Sequence, residues 1–231
     1  MAKSKMKPFG ARTRYVLRTC SADLRAHGGF QWPSSGPVEC PDWSAEPVCG
    51  QGLHGFLDGH GSAGLADWSP EAKWLVVAVD GRDLVDLGNK VKFPRGVVLL
   101  AADRKAATDL MQQIRSPQAA GPVMGAVVSV GDRDTATAVC YGTATAGDYG
   151  TATAGDYGTA TAGHYGTATA GCHGTATAGV CGTAAAGVCG IIRIRRWDGN
   201  RYRDVVGYIG EDGLQPNTPY RLDAEGRFVK A

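Results

Sequence analysis

From residue 134 the chain reads DTATAVCY (134–141), GTATAGDY (142–149), GTATAGDY (150–157), GTATAGHY (158–165), GTATAGCH (166–173), GTATAGVC (174–181) and GTAAAGVC (182–189), closed by Gly190. The period is eight residues and scarcely decays, which marks a repeat architecture. Within each octad T-A-T-A alternates with period two, so both Thr share one face and both Ala the other. That pattern is a strand, and the Gly-flanked steps between strands, filled by Asp, Tyr, His or Cys, read as turns that tolerate positive φ.

A four-residue strand and a four-residue turn cannot enclose an interior alone. Two octads, or three, must therefore make one turn of a solenoid, and two (about 16 residues) are favoured. Coils would stack about 4.7–4.8 Å apart, so roughly four coils give a rod about 19 Å long. Ala144, Ala146, Ala152, Ala154 and their equivalents suit a thin core. Thr143, Thr145, Thr151, Thr153, Thr159, Thr161, Thr167, Thr169, Thr175 and Thr177 then form outward ladders, the candidate surface-binding residues. The inverse, Thr inward with hydroxyls bonded between coils, is the alternative, since a buried hydroxyl needs a partner.

The frame runs past the clear copies. AVVSVG (126–131) places Val127 and Ser129 at the Thr positions, and GIIRIR (190–195) does so with Ile191 and Arg193, as atypical capping repeats should. In a 16-residue coil Tyr141, Tyr157, His173 and Cys189 make one column, and Tyr149, Tyr165 and Cys181 the other. Such ladders hold coils in register. Tyr141, Tyr149, Tyr157 and Tyr165 also offer an edge that can pair with its copy, so a homo-oligomer through the solenoid is expected.

The octad GTATAGDY resembles the Tyr-Gly-Ser-Thr-x-Thr-Ala-Gly octapeptide of bacterial ice nucleation proteins, over about 60 residues carrying Thr-x-Thr, Ala-Gly and the Tyr-Gly step. The resemblance implies a 16-residue-coil solenoid with Thr-x-Thr rows that bind ordered water or ice. So short an array is expected to need oligomerisation for activity. The arrangement also resembles, over most of the chain, uncharacterised phage and prophage proteins that place such repeats between a CGxGLHG-type N-terminal domain, here Cys49 to Gly55, and a tail similar to Arg201 to Asp223. That likeness carries no activity with it.

The chain has 231 residues, 34 of them Gly, and Lys+Arg 24 nearly balance Asp+Glu 22. A net charge of +2 leaves no strong nucleic-acid signal. No apolar run approaches the roughly 18–20 residues that cross a bilayer, and MAKSKMKPFG has no apolar core behind its basic start, so no membrane partner and a cytoplasmic location are expected. Seven Cys, an odd number without a CxxC pair, are expected as reduced thiols. Cys20, Cys40, Cys49 and His54 have zinc-binding chemistry, but their spacing fits no recognised knuckle, and neither metal nor cofactor is expected.

The expected class is mainly β: a β-solenoid of octapeptide repeats (123–190) between an α+β N-terminal domain (1–122) and a β-rich C-terminal cap (191–231). The N-terminal domain has strand signals at 14–20, 73–80 and 94–103, a helix at 104–115 stopped by Ser116-Pro117, and a Gly/Pro/Trp-rich span at 27–70, which together suggest a small mixed sheet. KVKFPR (90–95) could hold a phosphate, but a solvated strand edge carrying charge is the favoured reading. Arg18 on a first strand and His54 after a turn are weak catalytic candidates whose layout resembles small ADP-ribosyltransferase-like folds. Glu71 and Asp80, the available late carboxylates, match no motif.

Two functions follow. In one, the protein is a non-enzymatic, self-associating scaffold whose Thr faces bind ordered water, ice or another regular surface. In the other, the N-terminal domain of a phage-type effector binds or modifies a host nucleotide or protein while the solenoid oligomerises it. A flat exposed Thr plane beside a filled N-terminal core favours the first. A cleft lined by Arg18, Trp32, Trp43 and His54 favours the second.

Overall fold

A computed structural model describes residues 7–119 and 122–231, which form two compact units that part between Val123 and Met124.

In the first unit the apolar, β-branched runs become strands: β1 (Thr13–Cys20), β2 (Gly36–Glu39), β3 (Leu53–Leu57), β4 (Lys73–Asp80), β5 (Val85–Asp86), β6 (Val91–Phe93) and β7 (Arg95–Ala102). They form one sheet in the order β2-β7-β4-β1-β3-β6-β5. Every pairing in it is antiparallel, where a mixed sheet was expected. The reason is connectivity. Parallel neighbours need a long crossover, usually a helix, and the one α-helix among the described residues, α1 (Arg104–Ile114), follows the last strand of this sheet. Asp103 caps α1 through the Ala106 N–H at 2.8 Å, and the helix lays Ala107, Thr108 and Met111 onto the sheet.

Central strand β4 is buried at Trp74 to Asp80. The Gly/Pro/Trp-rich span supplies β2, β3 and Trp32, which packs with Cys20, Val38, Cys40, Leu53 and Phe93. The basic run departs from expectation. Lys92 is fully buried on β6, an inner strand of the sheet, and its Nζ donates to the Val48 carbonyl at 3.0 Å while lying 5.6 Å from the Trp43 ring centroid. The carbonyl and the aromatic face replace water around the ammonium, so this segment is not a solvated edge.

The second unit contains the array. Strands β8 (Val127–Ser129), β10 (Thr143–Ala146), β12 (Thr159–Ala162) and β14 (Thr175–Ala178) stack parallel with β16 (Ile191–Trp197). Strands β9 (Thr135–Thr137), β11 (Thr151–Thr153), β13 (Thr167–Ala170) and β15 (Thr183–Ala186) form a second parallel stack. Each Thr pairs with the Thr sixteen positions on, as Thr143 with Thr159, so two octads make one coil and the protein has about four coils. Val127, Ser129, Ile191 and Arg193 fall in register with Thr positions. Alternate Ala side chains, 0–3% exposed from Ala136 to Ala184, fill the space between the sheets.

At the far end Ile192 and Ile194 replace Ala in this core, and Ile209, Leu214 and Tyr220 complete it. Strand β17 (Tyr202–Tyr208) pairs antiparallel with β16, β18 (Tyr220–Leu222) with β15, and β19 (Phe228–Lys230) with β18. The larger side chains and the reversal of direction end the parallel stack, which would otherwise present an open template.

The turns differ from expectation. The left-handed residue is not Gly but the one before it: Tyr141, Tyr149, Tyr157, Tyr165, His173, Cys181 and Cys189 all have φ between 55° and 59°. Gly is required for room instead. A Cβ on Gly150 would lie 2.8 Å from the Ala146 Cβ and 3.0 Å from the Asp134 carbonyl oxygen one coil back. Close coil stacking thus reserves the Gly for the tight contact, and the adjacent residue absorbs a left-handed conformation that costs of order 1 kcal/mol or more per turn.

Candidate functional site

Alternation puts every array Thr on the outer face of its sheet. One plane carries Thr143/Thr145, Thr159/Thr161 and Thr175/Thr177, and the other Thr151/Thr153 and Thr167/Thr169. The second plane also gains Thr135/Thr137 and, at its other end, Thr183. Those three lie outside the clear Thr-x-Thr copies: the first octad begins with Asp rather than Gly, and the last reads TAAA. Hydroxyls two residues apart along a strand are about 6.7 Å apart and those in successive rows about 4.7–4.8 Å. Among the described residues none of these array hydroxyls is engaged by a protein partner, which leaves the grid to solvent.

The planes are framed by ladders. Tyr141 stacks on Tyr157 at 4.9 Å between ring centroids, Tyr157 on His173 at 4.9 Å and Tyr149 on Tyr165 at 5.0 Å, all within 9° of parallel. Arg133 lies 5.5 Å from the centroid of Tyr149 and extends that column toward the first coil. Acidic rungs run beside the rings. Asp132 Oδ1 accepts the Asp148 N–H at 2.9 Å, Asp148 Oδ1 accepts the His164 N–H at 2.8 Å, and Asp156 Oδ1 accepts the Cys172 N–H at 2.8 Å. Each bond links residues sixteen apart, so the Asp of one coil satisfies a turn N–H of the next.

In the first unit β1 and β3 bring Arg18 and His54 together, with Arg18 Nη1 at 3.5 Å from the His54 carbonyl oxygen. They line a cavity of about 470 Å³ with Phe30, Trp32, Cys40 and Asp42. Trp43 does not line it and packs over Lys92 instead. The structure therefore holds an outward, mostly half-buried Thr grid and a cleft with three of the four expected residues. Glu71 is exposed, and Asp80 is tied to Arg82 at 3.0 Å and Arg12 at 3.1 Å, which hold its carboxyl well below the usual range. Neither carboxylate lines this cavity. Burial, then the neighbouring Asp42, push the Cys40 thiol up, so the cavity contains no thiolate nucleophile at neutral pH. Among the described residues no three His, Cys, Asp or Glu side chains gather to hold a metal ion.

Burial, followed by the charges of Lys90, Arg18 and Lys92, lowers His54 to about 4. The imidazole is neutral at pH 7. Its depressed folded-state value sets a sign: between about 6.5 and 4 the unfolded chain binds the extra proton, so the first unit should lose stability as pH falls through that window. Urea midpoints followed by Trp fluorescence check this. A His54→Gln variant should show a flatter dependence, and an identical slope would mean that His54 does not carry the effect.

Residues 15–109 match the model of a domain of unknown function, DUF7666. The chain matches ice nucleation proteins: 36% identity over 96 residues with that of Xanthomonas campestris pv. translucens, covering 41% of this chain and 6% of the relative. With the Pseudomonas fluorescens protein identity is 40% over 94 residues (40% of this chain, 8% of the relative), and with that of Enterobacter agglomerans 34% over 131 (55% and 10%). No solved structure matches. The expected cytoplasmic location is corrected by this likeness, because ice nucleation proteins are surface proteins anchored in the outer membrane. The chain is thus similar to ice nucleation proteins over about two-fifths to just over half of its own length, and spans a tenth or less of theirs.

Proposed function

We propose that the protein is a non-catalytic β-solenoid that binds ordered water or ice through its Thr planes and self-associates through its Tyr edges. The observation that carries this reading is the pair of in-register Thr-x-Thr grids whose hydroxyls have no hydrogen-bond partner among the described residues. Methyl and hydroxyl groups alternate there on a flat, rigid surface, so neighbouring water is held in a repeating arrangement without a loss of side-chain freedom on binding. One protomer offers only about three complete rows per plane. Assembly enlarges the plane, which is why self-association belongs to the same reading.

The test is ice-crystal shaping and recrystallisation inhibition by the full chain, with solution mass from light scattering on the same sample. Faceted crystals together with a defined oligomer support the reading. An oligomer that leaves ice unchanged would reduce the solenoid to an assembly device. Tyr149, Tyr157 and Tyr165 are 53–57% exposed. Replacing all three with Ser should shift the mass to the 24.0 kDa monomer. An unchanged sedimentation profile would rule out the aromatic columns as the interface.

A further inference from the structure

The first unit contains a polar cluster that the Thr planes do not use. Among the described residues five buried side-chain atoms lack a hydrogen-bond partner: Arg14 Nε, Asp58 Oδ1, Arg18 Nε, Trp32 Nε1 and His54 Nε2. The first two belong to residues already paired with each other, Arg14 Nη2 lying 2.6 Å from Asp58 Oδ2. The other three belong to residues that line the one 470 Å³ cavity. An unpaired buried polar group costs about 1–3 kcal/mol, so three such atoms, two of them donors, around one cavity point to a group that occupies it.

The chemistry of that group follows from the wall. Arg18 has no carboxylate partner among the described residues, and Asp42, the carboxylate on this wall, accepts the Cys40 thiol at 3.0 Å. Arg18 Nη1 lies 3.5 Å from the His54 carbonyl oxygen, and its guanidinium lies 6.0 Å from the Trp32 ring centroid. Lys90 and Lys92 add positive charge close to His54. A guanidinium and an indole N–H are donors only, and a guanidinium fork matches the oxygens of a phosphate. Phe30, edge-on to Trp32 at 5.7 Å, gives the same cavity an aromatic side. The volume falls within the range that encloses small molecules.

We infer that this cavity binds a small phosphorylated ligand with a flat ring, of nucleoside monophosphate chemistry, its phosphate on Arg18 and the Trp32 indole N–H and its ring along Phe30. The site stands on the first unit alone and is independent of what the Thr planes bind. His54, neutral, contributes its free ring nitrogen to the ring or sugar.

The full chain, labelled with nitrogen-15, is titrated with AMP, UMP and inorganic phosphate while the indole N–H resonances are followed. The result expected is a saturable shift of the Trp32 indole, with at least one nucleotide binding about tenfold or more tighter than phosphate. In Arg18→Gln the shift should weaken about tenfold or more, and in Arg18→Lys partially, since charge remains and the fork is lost. Urea midpoints establish that both variants fold, and His54→Gln serves as a second variant should Arg18→Gln unfold. Unmoved Trp32, equal binding of phosphate and nucleotides, or undiminished binding by folded Arg18→Gln would each overturn the assignment.

Discussion

Ala168→Asp should unfold the solenoid, whereas Thr169→Asp, one residue further along the same strand, should leave it folded. Ala168 is fully buried and stacks in register between Ala152 and Ala184. A carboxylate there enters the apolar core between the two sheets. The effective penalty is several kcal/mol, a large part of the roughly 5–15 kcal/mol that holds a domain folded. Thr169 faces out, where substitutions usually cost within about 0.5 kcal/mol. Hydrogen exchange read by mass spectrometry separates the two: Ala168→Asp should lose amide protection across residues 143–186, and Thr169→Asp should keep it. Protection retained in Ala168→Asp would mean that the Ala face is not the interior.

The same contrast explains what could be read from the chain. Strand direction, the sixteen-residue coil and the inward Ala face are all set by alternation and period, which are local properties, and Val127, Ser129, Ile191 and Arg193 could be placed on the same grounds. The turn chemistry could not. Gly150 and its equivalents are fixed by atoms of the preceding coil, such as the Asp134 carbonyl oxygen, so the left-handed conformation falls on Tyr149 for a reason invisible within one octad. The Asp132, Asp148 and Asp156 rungs likewise bond sixteen residues away.

In the first unit β1, β4, β7 and α1 were plain from their apolar patterns. Strands β2, β3, β5 and β6 were not, because short runs broken by Gly and Pro give no periodicity to count. Lys92 ran against the usual rule that a charged residue marks an exposed edge, and only the Val48 carbonyl and Trp43 ring, distant in sequence, account for its burial. Arg18 could be named as a polar residue on a first strand and His54 as one after a turn. Their meeting with Trp32 depends on the pairing of β1 with β3, which no local signal specifies.

Substituting Thr145, Thr153, Thr159 and Thr167 with Lys should abolish ice shaping and lower recrystallisation inhibition about tenfold or more, while the circular dichroism spectrum stays unchanged. Thr145 and Thr159 lie diagonally on adjacent rows of one plane, and Thr153 and Thr167 on adjacent rows of the other. The diagonal choice keeps like charges from standing directly opposite each other, where they would destabilise the sheet. Each Lys places a long, strongly hydrated, mobile side chain where, on the proposed function, a stiff methyl–hydroxyl unit holds water in register. If ice binding is shared by the two planes as proposed, the pair on one plane alone should leave part of the activity, and the four together should remove it. Full activity in the folded four-site variant would eliminate the Thr grids as the binding surface. An unfolded four-site variant would contradict the outward placement of these side chains, and with it the argument that the hydroxyls are free to order water.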